Sequence, residues 1–562
     1  MVVAIVGLVL SVTVGGVSAS AVSVDPAVAE NAVTDPVPLL ELRTNGDAGW
    51  FWTLSEAEAA RAVGQDKMTL LASKLGYLRR QPFPGGQPIY RLVSSSTATY
   101  LLTASASERD ALTGGAQPAF RYEGVLGYAF ASRAPGTAPL WRMHANTGTG
   151  WRVVPDADVA GMRAQGYTVD GPLGFVYATY DRVGATYFGT FDGDGNQHLM
   201  TLAQAYYGRT EDWWAGVKDF AGADVAKNTW GHWPNTDFGD LKPSIGYYDD
   251  SQPATLQRQI AQASAAGLRY FTFYWYWNPA NGGGEQLIDG LTSFLRANNR
   301  GSMEFTVMPC IEPWSNGDVS LRLPADQITK AADTIVDSYL GQPNYLRAND
   351  GRPIVEVCDD RGIGAGSTST VDTVATQQFI DAIRARARAN YGEEVLITEN
   401  DQLPVTAGFD GTQVQGRYDA SRSYATYVAN ERGRLANFPG VLIRGATSGF
   451  DNRPWDKIGI TDTLGPDATQ QQLAGIFDWY DDHSISAFGT LLGNLQADID
   501  ASTRPPAADN LVLIYAWNEW HEGGHIEPNV RDRCGYLDTI QARLRLPGAG
   551  CSAVLAQLPP GQ

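Results

Sequence analysis

At about 150 residues per domain, a chain of 562 residues holds two to four domains, and its 43% hydrophobic residues supply cores for each, which excludes wholesale disorder. The 61 Asp and Glu outnumber 42 Lys and Arg, and a net charge of −19 is the wrong sign for gripping a phosphate backbone, so nucleic acid is excluded as the main partner.

The chain opens on a small, apolar stretch over 1–16, followed by Ala19-Ser20-Ala21. An A-x-A site after a short apolar run predicts a signal peptide over 1–21 and a secreted, extracellular protein, although no Lys or Arg stands before Arg43. The run is too short to span a bilayer. No later segment reaches the ~18 consecutive apolar residues of a transmembrane helix.

Between 36 and 182 the sequence repeats itself. Pro38-Leu39-Leu40-Glu41-Leu42, Pro88-Ile89-Tyr90-Arg91-Leu92 and Pro139-Leu140-Trp141-Arg142-Met143 recur at spacings of 50 and 51, and Trp50, Tyr100 and Trp151 follow in register. Each unit closes on Gly76-Tyr77, Gly127-Tyr128 or Gly174-Phe175. Three registered landmarks in three copies predict a threefold module. Short alternating runs between Gly, Ser, Thr and Asn predict an all-β, β-trefoil-like domain. Its aromatics fit either a shared core, which is favoured, or carbohydrate binding.

From about 183 to 548 the texture changes. Apolar runs at 186–191, 270–277, 305–310, 354–358, 395–398, 441–444 and 511–517 alternate with amphipathic stretches at 254–266, 284–298, 325–339, 374–389, 468–482 and 535–544. Strands alternating with helices pair in parallel, and continuous apolar strands are buried on both faces. The expected fold is α/β, a (β/α)8 TIM-like barrel whose strand C-termini face the active site. The cysteines stand at 310, 358, 534 and 551. Cys534 with Cys551 would close a short loop, and Cys310 with Cys358 would join two strands if these are neighbours; four cysteines allow three connectivities.

Acids and aromatics gather where those strands end. Trp275 and Tyr276 lie in one such segment, Glu312 and Trp314 in a second, and Asn518-Glu519-Trp520-His521-Glu522 with Glu527 in the last. Glycosidic cleavage needs one carboxyl that donates a proton and another that serves the anomeric centre or its neighbour. Glu519 and Glu522, three apart, are close enough to raise each other's proton affinity. The same stretch satisfies H-E-x-x-H through His521, Glu522 and His525, the pattern of a zinc metallopeptidase. Two glycines inside that turn oppose the helix which would aim both imidazoles at one ion, and no metal or other cofactor is expected. Asp192-Gly193-Asp194-Gly195-Asn196 starts like a calcium loop, but Gln197 and Ala203 at the sixth and twelfth positions predict a turn.

The string at 518–528, NEWHEGGHIEP, resembles the signature of glycoside hydrolase family 99, the endo-α-mannosidases and endo-α-mannanases, and of the related WbsX-like domains. Pro243 to Asp249, including Tyr248 and Asp249, is similar to the WbsX-like opening, Ile311-Glu312-Pro313-Trp314 to the acid-Pro-aromatic strand end, and Gly449-Phe450-Asp451-Asn452-Arg453 to the late Asp-Asn loop. The resemblance implies a secreted, retaining, endo-acting glycoside hydrolase working on a polysaccharide or glycan, with Glu519 as base on the sugar 2-hydroxyl, Glu522 as acid and then base, and Glu312 beside the reacting sugar. Trp275, Tyr276, Trp314, Asn518, Trp520, His521, Tyr248, Asp249, Asp451, Asn452 and Glu527 are the expected substrate-binding residues. WbsX-like domains have also been labelled glycosyltransferases, and a non-catalytic glycan-binding surface protein is the alternative from another class.

Overall fold

The computed structural model describes residues 36–555 except 45–48, 73–74, 98, 116–118, 135–136, 147–149, 178–180, 192–212, 222–237, 314, 317–318, 401–405, 407, 415–421, 439, 456–468, 474, 503, 505–506 and 547. The expected signal peptide, the turn at 192–196 and Trp314 lie outside the described residues.

The threefold module is present, but its units are not all-β. In the second unit, Gly86–Ser94 and Tyr100–Thr103 form a hairpin, helix Ala106–Thr113 follows, and Phe120–Phe130 returns antiparallel on the free side of Gly86–Ser94. The first unit repeats this with Leu40–Arg43, Trp50–Thr53, Glu56–Gly64 and Thr69–Ala72. The third does so with Thr137–Ala145, Trp151–Pro155, Val159–Ala164 and Tyr167–Tyr177. The trefoil-like expectation therefore gives way to three β-β-α-β units. The reason is local: Ser55 and Ser105 accept from the Glu58 and Glu108 backbone N–H groups at 3.2 and 3.1 Å, so S-x-x-E starts a helix in each case. Leu39, Trp52, Leu78, Ile89, Leu102, Leu140, Val153 and Val176 meet in one core shared by all three units. Trp50, Tyr100 and Trp151 are half-buried at the edges of such clusters, which fits the packing role.

The second part is a parallel sheet in barrel order. Strands β1 (Arg182–Tyr187), β2 (Tyr270–Asn278), β3 (Glu304–Pro309), β4 (Ile354–Val357), β5 (Leu396–Asn400), β6 (Gly411–Gln413), β7 (Val441–Thr447) and β8 (Leu511–Tyr515) run in the spatial order β3-β2-β1-β8-β7-β6-β5-β4. The sheet curls until its edges meet. Cys358 N–H donates to Pro309 O at 2.8 Å, Cys310 bridges to Asp359, and the Cys310–Cys358 disulfide ties the end of β3 to the end of β4. The second expected disulfide, Cys534–Cys551, is also formed.

Helices α1 (Pro253–Ala265), α2 (Asp289–Arg296), α3 (Ile328–Ile335), α4 (Thr373–Tyr391), α5 (Tyr424–Ala436), α6 (Ile485–Asp500) and α7 (Gly535–Arg543) cover the sheet. The sequence misplaces one helix and misses another, α5. Of 468–482 only Gln470–Leu473 is helical, and the long helix is α6, started by Ser484 accepting from Ala487 N–H. It also passes over β6, whose three residues are too few to show a period.

Side chains of β2 alternate. Phe271, Phe273, Trp275 and Trp277 pack outward against the helices, while Tyr270 joins the apolar base inside the sheet and Tyr274 and Tyr276 stand higher, among the aromatics above it. Between base and mouth lies a polar layer holding Thr272 and Glu356, a fully buried carboxyl pushed up to about 8 by desolvation.

The module docks on the opposite end from the mouth. Arg80 Nη2 donates to Leu54 O at 2.8 Å and to Asn349 O at 2.9 Å, and Asn349 is itself bonded to Asn510, just before β8.

Candidate active site

The loop after β8 builds the site. Asn518 and Glu519 pair antiparallel with His525 and Gly524, and Trp520–Glu522 forms a single 3-10 turn between them. Two glycines make this geometry. Gly523 has φ +61° and a Cβ there would stand 2.8 Å from Asp451 Cβ, while a Cβ on Gly524 would lie 2.3 Å from the Tyr515 ring. With neither present, Asp451 N–H donates to Glu522 O at 2.6 Å and the Tyr515 hydroxyl donates to the Glu522 carboxylate.

Three carboxyls converge electrostatically. Burial, then repulsion from Glu522 and Glu312, holds the Glu519 carboxyl well above the usual carboxylate range, against a hydrogen bond from Tyr274. Glu522 is raised by burial, opposed by the Tyr515 hydroxyl. Glu312 is pushed up to about 7, first by burial, then by Asp359 and Glu522, with Arg361 pulling the other way. Tyr274, Tyr276 and Tyr515 feel two or more of these glutamates, and burial foremost keeps their phenols protonated. Such a group of like charges cannot all ionise near neutrality. At least one stays protonated where another can ionise.

Beside Glu312 opens a polar cavity of about 750 Å³, walled by Cys358, Asp359, Asp360 and Arg361 after β4 and by Glu399 and Asn400 at the end of β5. Arg361 is held by Asp359, Nη2 to Oδ2 at 2.5 Å.

The expected substrate-binding residues divide. Tyr276 faces the glutamates. Asp451 lies against the Glu522 loop but is engaged by Arg453 at 2.6 Å, and Asn452 accepts from Asp478 N–H at 2.7 Å. Asp249 accepts from Ser251 N–H and Gln252 Nε2, holding the start of α1.

The other expected residues lie deeper in the fold. Trp275 is fully buried on the helix side of β2 and donates to Glu285 at 2.6 Å, so it has no face for a sugar. Trp520 and Asn518 are fully buried as well, and both donate to the Tyr248 hydroxyl. Tyr248 donates to Glu527 Oε2 at 2.8 Å, and Gln259 Nε2 to Glu527 Oε1 at 2.9 Å. Glu527, 1% exposed and pushed up to about 8 by burial, is the keystone of this network.

His521 stacks on Phe191 and faces Trp213 O, whereas His525 stacks on Trp520 toward Asp240. The H-E-x-x-H stretch is thus not helical, and its imidazoles have different surroundings. Burial drives both to about 3, so they are neutral. Among the described residues no group of three or more His, Cys, Asp or Glu could hold a metal ion.

Sequence reasoning missed Tyr274, Tyr515 and the Asp359-Asp360-Arg361 run. A signal existed for Tyr274: neighbours in a strand point to opposite faces, so Tyr276 at the mouth brings Tyr274 with it and sends Trp275 away.

Residues 479–540 match the family model described as "Glycosyltransferase WbsX", and 50–177 match a "Domain of unknown function (DUF5648)". The WbsX-like resemblance read from the 518–528 string therefore holds over that segment. "Uncharacterized protein WxcX" of Xanthomonas campestris pv. campestris, in two strains, is 25% identical over 343 residues, 55% of this chain and 44% of the relative, so the match spans less than half the length of these curated proteins. Among solved structures, a "Glycoside hydrolase-like protein" superposes with TM-score 0.41 and 13% identity, covering 65% of this chain and 94% of that one. The GH99 endo-alpha-mannosidase from Bacteroides thetaiotaomicron superposes with TM-score 0.37 and 16% identity over 67% and 98%. No described helix is long and apolar enough to cross a membrane.

Proposed function

We propose that this protein is a secreted, retaining glycoside hydrolase that cuts within a polysaccharide or glycan. One observation carries the reading: Glu519, Glu522 and Glu312 sit at strand ends within electrostatic reach of one another, Glu312 lining a polar cavity, each with its proton affinity raised by burial, and two of them raised further by the other carboxyls. Glycosidic cleavage needs carboxyls that divide acid and base work in this way.

Following the signature resemblance, Glu519 draws the proton from the 2-hydroxyl of the sugar at the cleavage point as that oxygen closes on the anomeric carbon, and Glu522 protonates the departing oxygen. Glu522 then activates water, which opens the 1,2-anhydro ring at the anomeric carbon while Glu519 returns the proton to the 2-oxygen. Glu312 stands beside the reacting sugar, and the Tyr274, Tyr276 and Tyr515 hydroxyls hold the carboxyls and sugar in place. Incubation with a polysaccharide panel should release reducing ends, and Glu522→Gln should abolish that release while oligosaccharide binding stays measurable. Full activity in Glu522→Gln would remove it from the acid role.

The name of the matching family favours a second reading, glycosyl transfer, through the same glutamates. Product formed from a glycan donor with water as acceptor separates hydrolysis from transfer, which would need an acceptor sugar.

A further inference from the structure

Two clefts far from the glutamates repeat each other. One, about 310 Å³, lies between the first and second units of the module over Glu58, Arg91 and Glu123. The other, about 360 Å³, lies between the second and third over Glu108, Arg142 and Asp170. The equivalent residues stand 50, 51 and 47 positions apart, as the repeat requires.

Their wiring is the same. Arg91 grips Glu58 through Nη1 and Nη2 at 3.0 and 2.8 Å, and Arg142 grips Glu108 at 2.9 and 3.0 Å. Each Nε reaches the second acid, Glu123 at 3.1 Å or Asp170 at 2.8 Å, and each Nη1 also donates to a carbonyl, Trp52 O or Leu102 O.

A clamp between units does not require an open charged cleft. Where the third unit meets the first, position 41 is Glu instead of Arg and position 72 is Ala instead of an acid. There Glu41 is only 1% exposed and accepts from Trp52 Nε1 at 2.9 Å and Arg152 Nη2 at 2.8 Å. That junction closes as a buried contact, while the other two leave their charges on the floor of a hollow.

The chemistry of the floor selects the ligand. Glu58 and Glu123 face Arg91 and Arg80 in the first cleft, and Glu108 and Asp170 face Arg142 in the second, so neither lining offers the surplus positive charge that uronates and sulfated sugars need, and the guanidinium groups oppose a metal ion. Spare carboxylate lone pairs accept from hydroxyls. The volumes fall at the lower end of the roughly 300–1,000 Å³ of small-molecule pockets, a size for sugar rings. We infer that these two clefts are a pair of binding sites for neutral, hydroxyl-rich glycan chains, separate from the glutamate site. Because the module docks at the end of the sheet away from the mouth, such sites tether the protein to a polymer without obstructing the cavity, and two on one module add by avidity.

The test is retention of the full chain carrying Glu522→Gln, which prevents turnover, on insoluble α-mannan, β-1,3-glucan, cellulose and chitin, with polygalacturonate beads as the anionic arm. Gly171→Phe fills the larger cleft and leaves the clamp intact, since a Cβ at Gly171 meets nothing within 4 Å. The Glu123→Gln, Asp170→Asn pair removes the second acid from both floors. Retention on at least one neutral polymer should fall severalfold in Gly171→Phe and tenfold or more in the double variant, with the Gly171→Phe melting temperature unchanged. No retention on any neutral polymer, retention confined to polygalacturonate, or Gly171→Phe binding like its parent would overturn the inference. The readout needs no hydrolysis, so a wild-type protein that releases no reducing ends would sink the catalytic proposal and leave this one standing.

Discussion

At the scale of single residues, hydroxyl groups tune the carboxyls. The Tyr515 hydroxyl stabilises the charged form of Glu522 and so lowers a proton affinity that burial has raised. Tyr515→Phe should raise the Glu522 pKa, and if Glu522 is the acid, the alkaline limb of kcat against pH moves upward by about one unit; an unmoved limb would remove Tyr515 from this role. Gly523 is fixed by geometry on two counts, its positive φ and the closeness of Asp451. Gly523→Ala should displace the Asp451 loop and cost activity far more than stability, read as a drop of tenfold or more in kcat/KM with a melting temperature changed by a few degrees.

At the scale of elements, the sheet has a seam and a polar layer. The β3–β4 seam rests on an isolated bridge, a few hydrogen bonds, among them Cys358 N–H to Pro309 O and Ile311 N–H to Asp359 O, and the Cys310–Cys358 disulfide spanning 48 residues. Closing a loop of that length stabilises by about 4 kcal/mol in the chain-entropy picture. Cys310→Ser should therefore lower the unfolding free energy by several kcal/mol, measured by denaturant titration. Because Cys358 walls the cavity, the same variant should weaken oligosaccharide binding.

Glu356 in the polar layer has a folded-state pKa of about 8 against an ordinary value of 4.5. The folded protein binds its proton more tightly than the unfolded chain, so this carboxyl contributes a loss of stability as pH rises from about 4.5 to about 8. Glu356→Gln should flatten stability over that window, checked by melting temperatures from pH 5 to 8; an unchanged slope would mean the carboxyl ionises freely in the fold.

At the scale of the whole molecule, the division of labour follows from which end of the sheet each part occupies. The module meets the strand N-termini through Arg80, Asn349 and Asn510, and the glutamates stand at strand C-termini. Arg80→Ala should lower the melting temperature or split the unfolding transition in calorimetry while kcat on soluble oligosaccharide stays at the wild-type value. A fall in kcat would mean the module contributes to the site across the sheet.

Much of this was written in local sequence. Repeats with registered landmarks, apolar strands alternating with helices, and the glutamates at 519 and 522 were legible because each depends on periodicity or near neighbours, whereas the Cys310–Cys358 pairing waited on the curl of the sheet that brings β3 to β4. The helices inside the repeat units were legible too, in Ser55-x-x-Glu58 and Ser105-x-x-Glu108, but the β-rich texture masked them. What the chain order could not convey is which face a side chain takes and what covers it. Trp275 and Tyr276 are adjacent in sequence, yet the pleat sends one into the helix layer and the other toward the glutamates. Trp520, Asn518 and Glu527 belong to the signature string, yet packing against Tyr248 and Gln259 makes them scaffold. Proton affinities were decided last of all, since burial and the approach of Glu312 from β3 to Glu519 and Glu522 beyond β8 exist only once the sheet has curled.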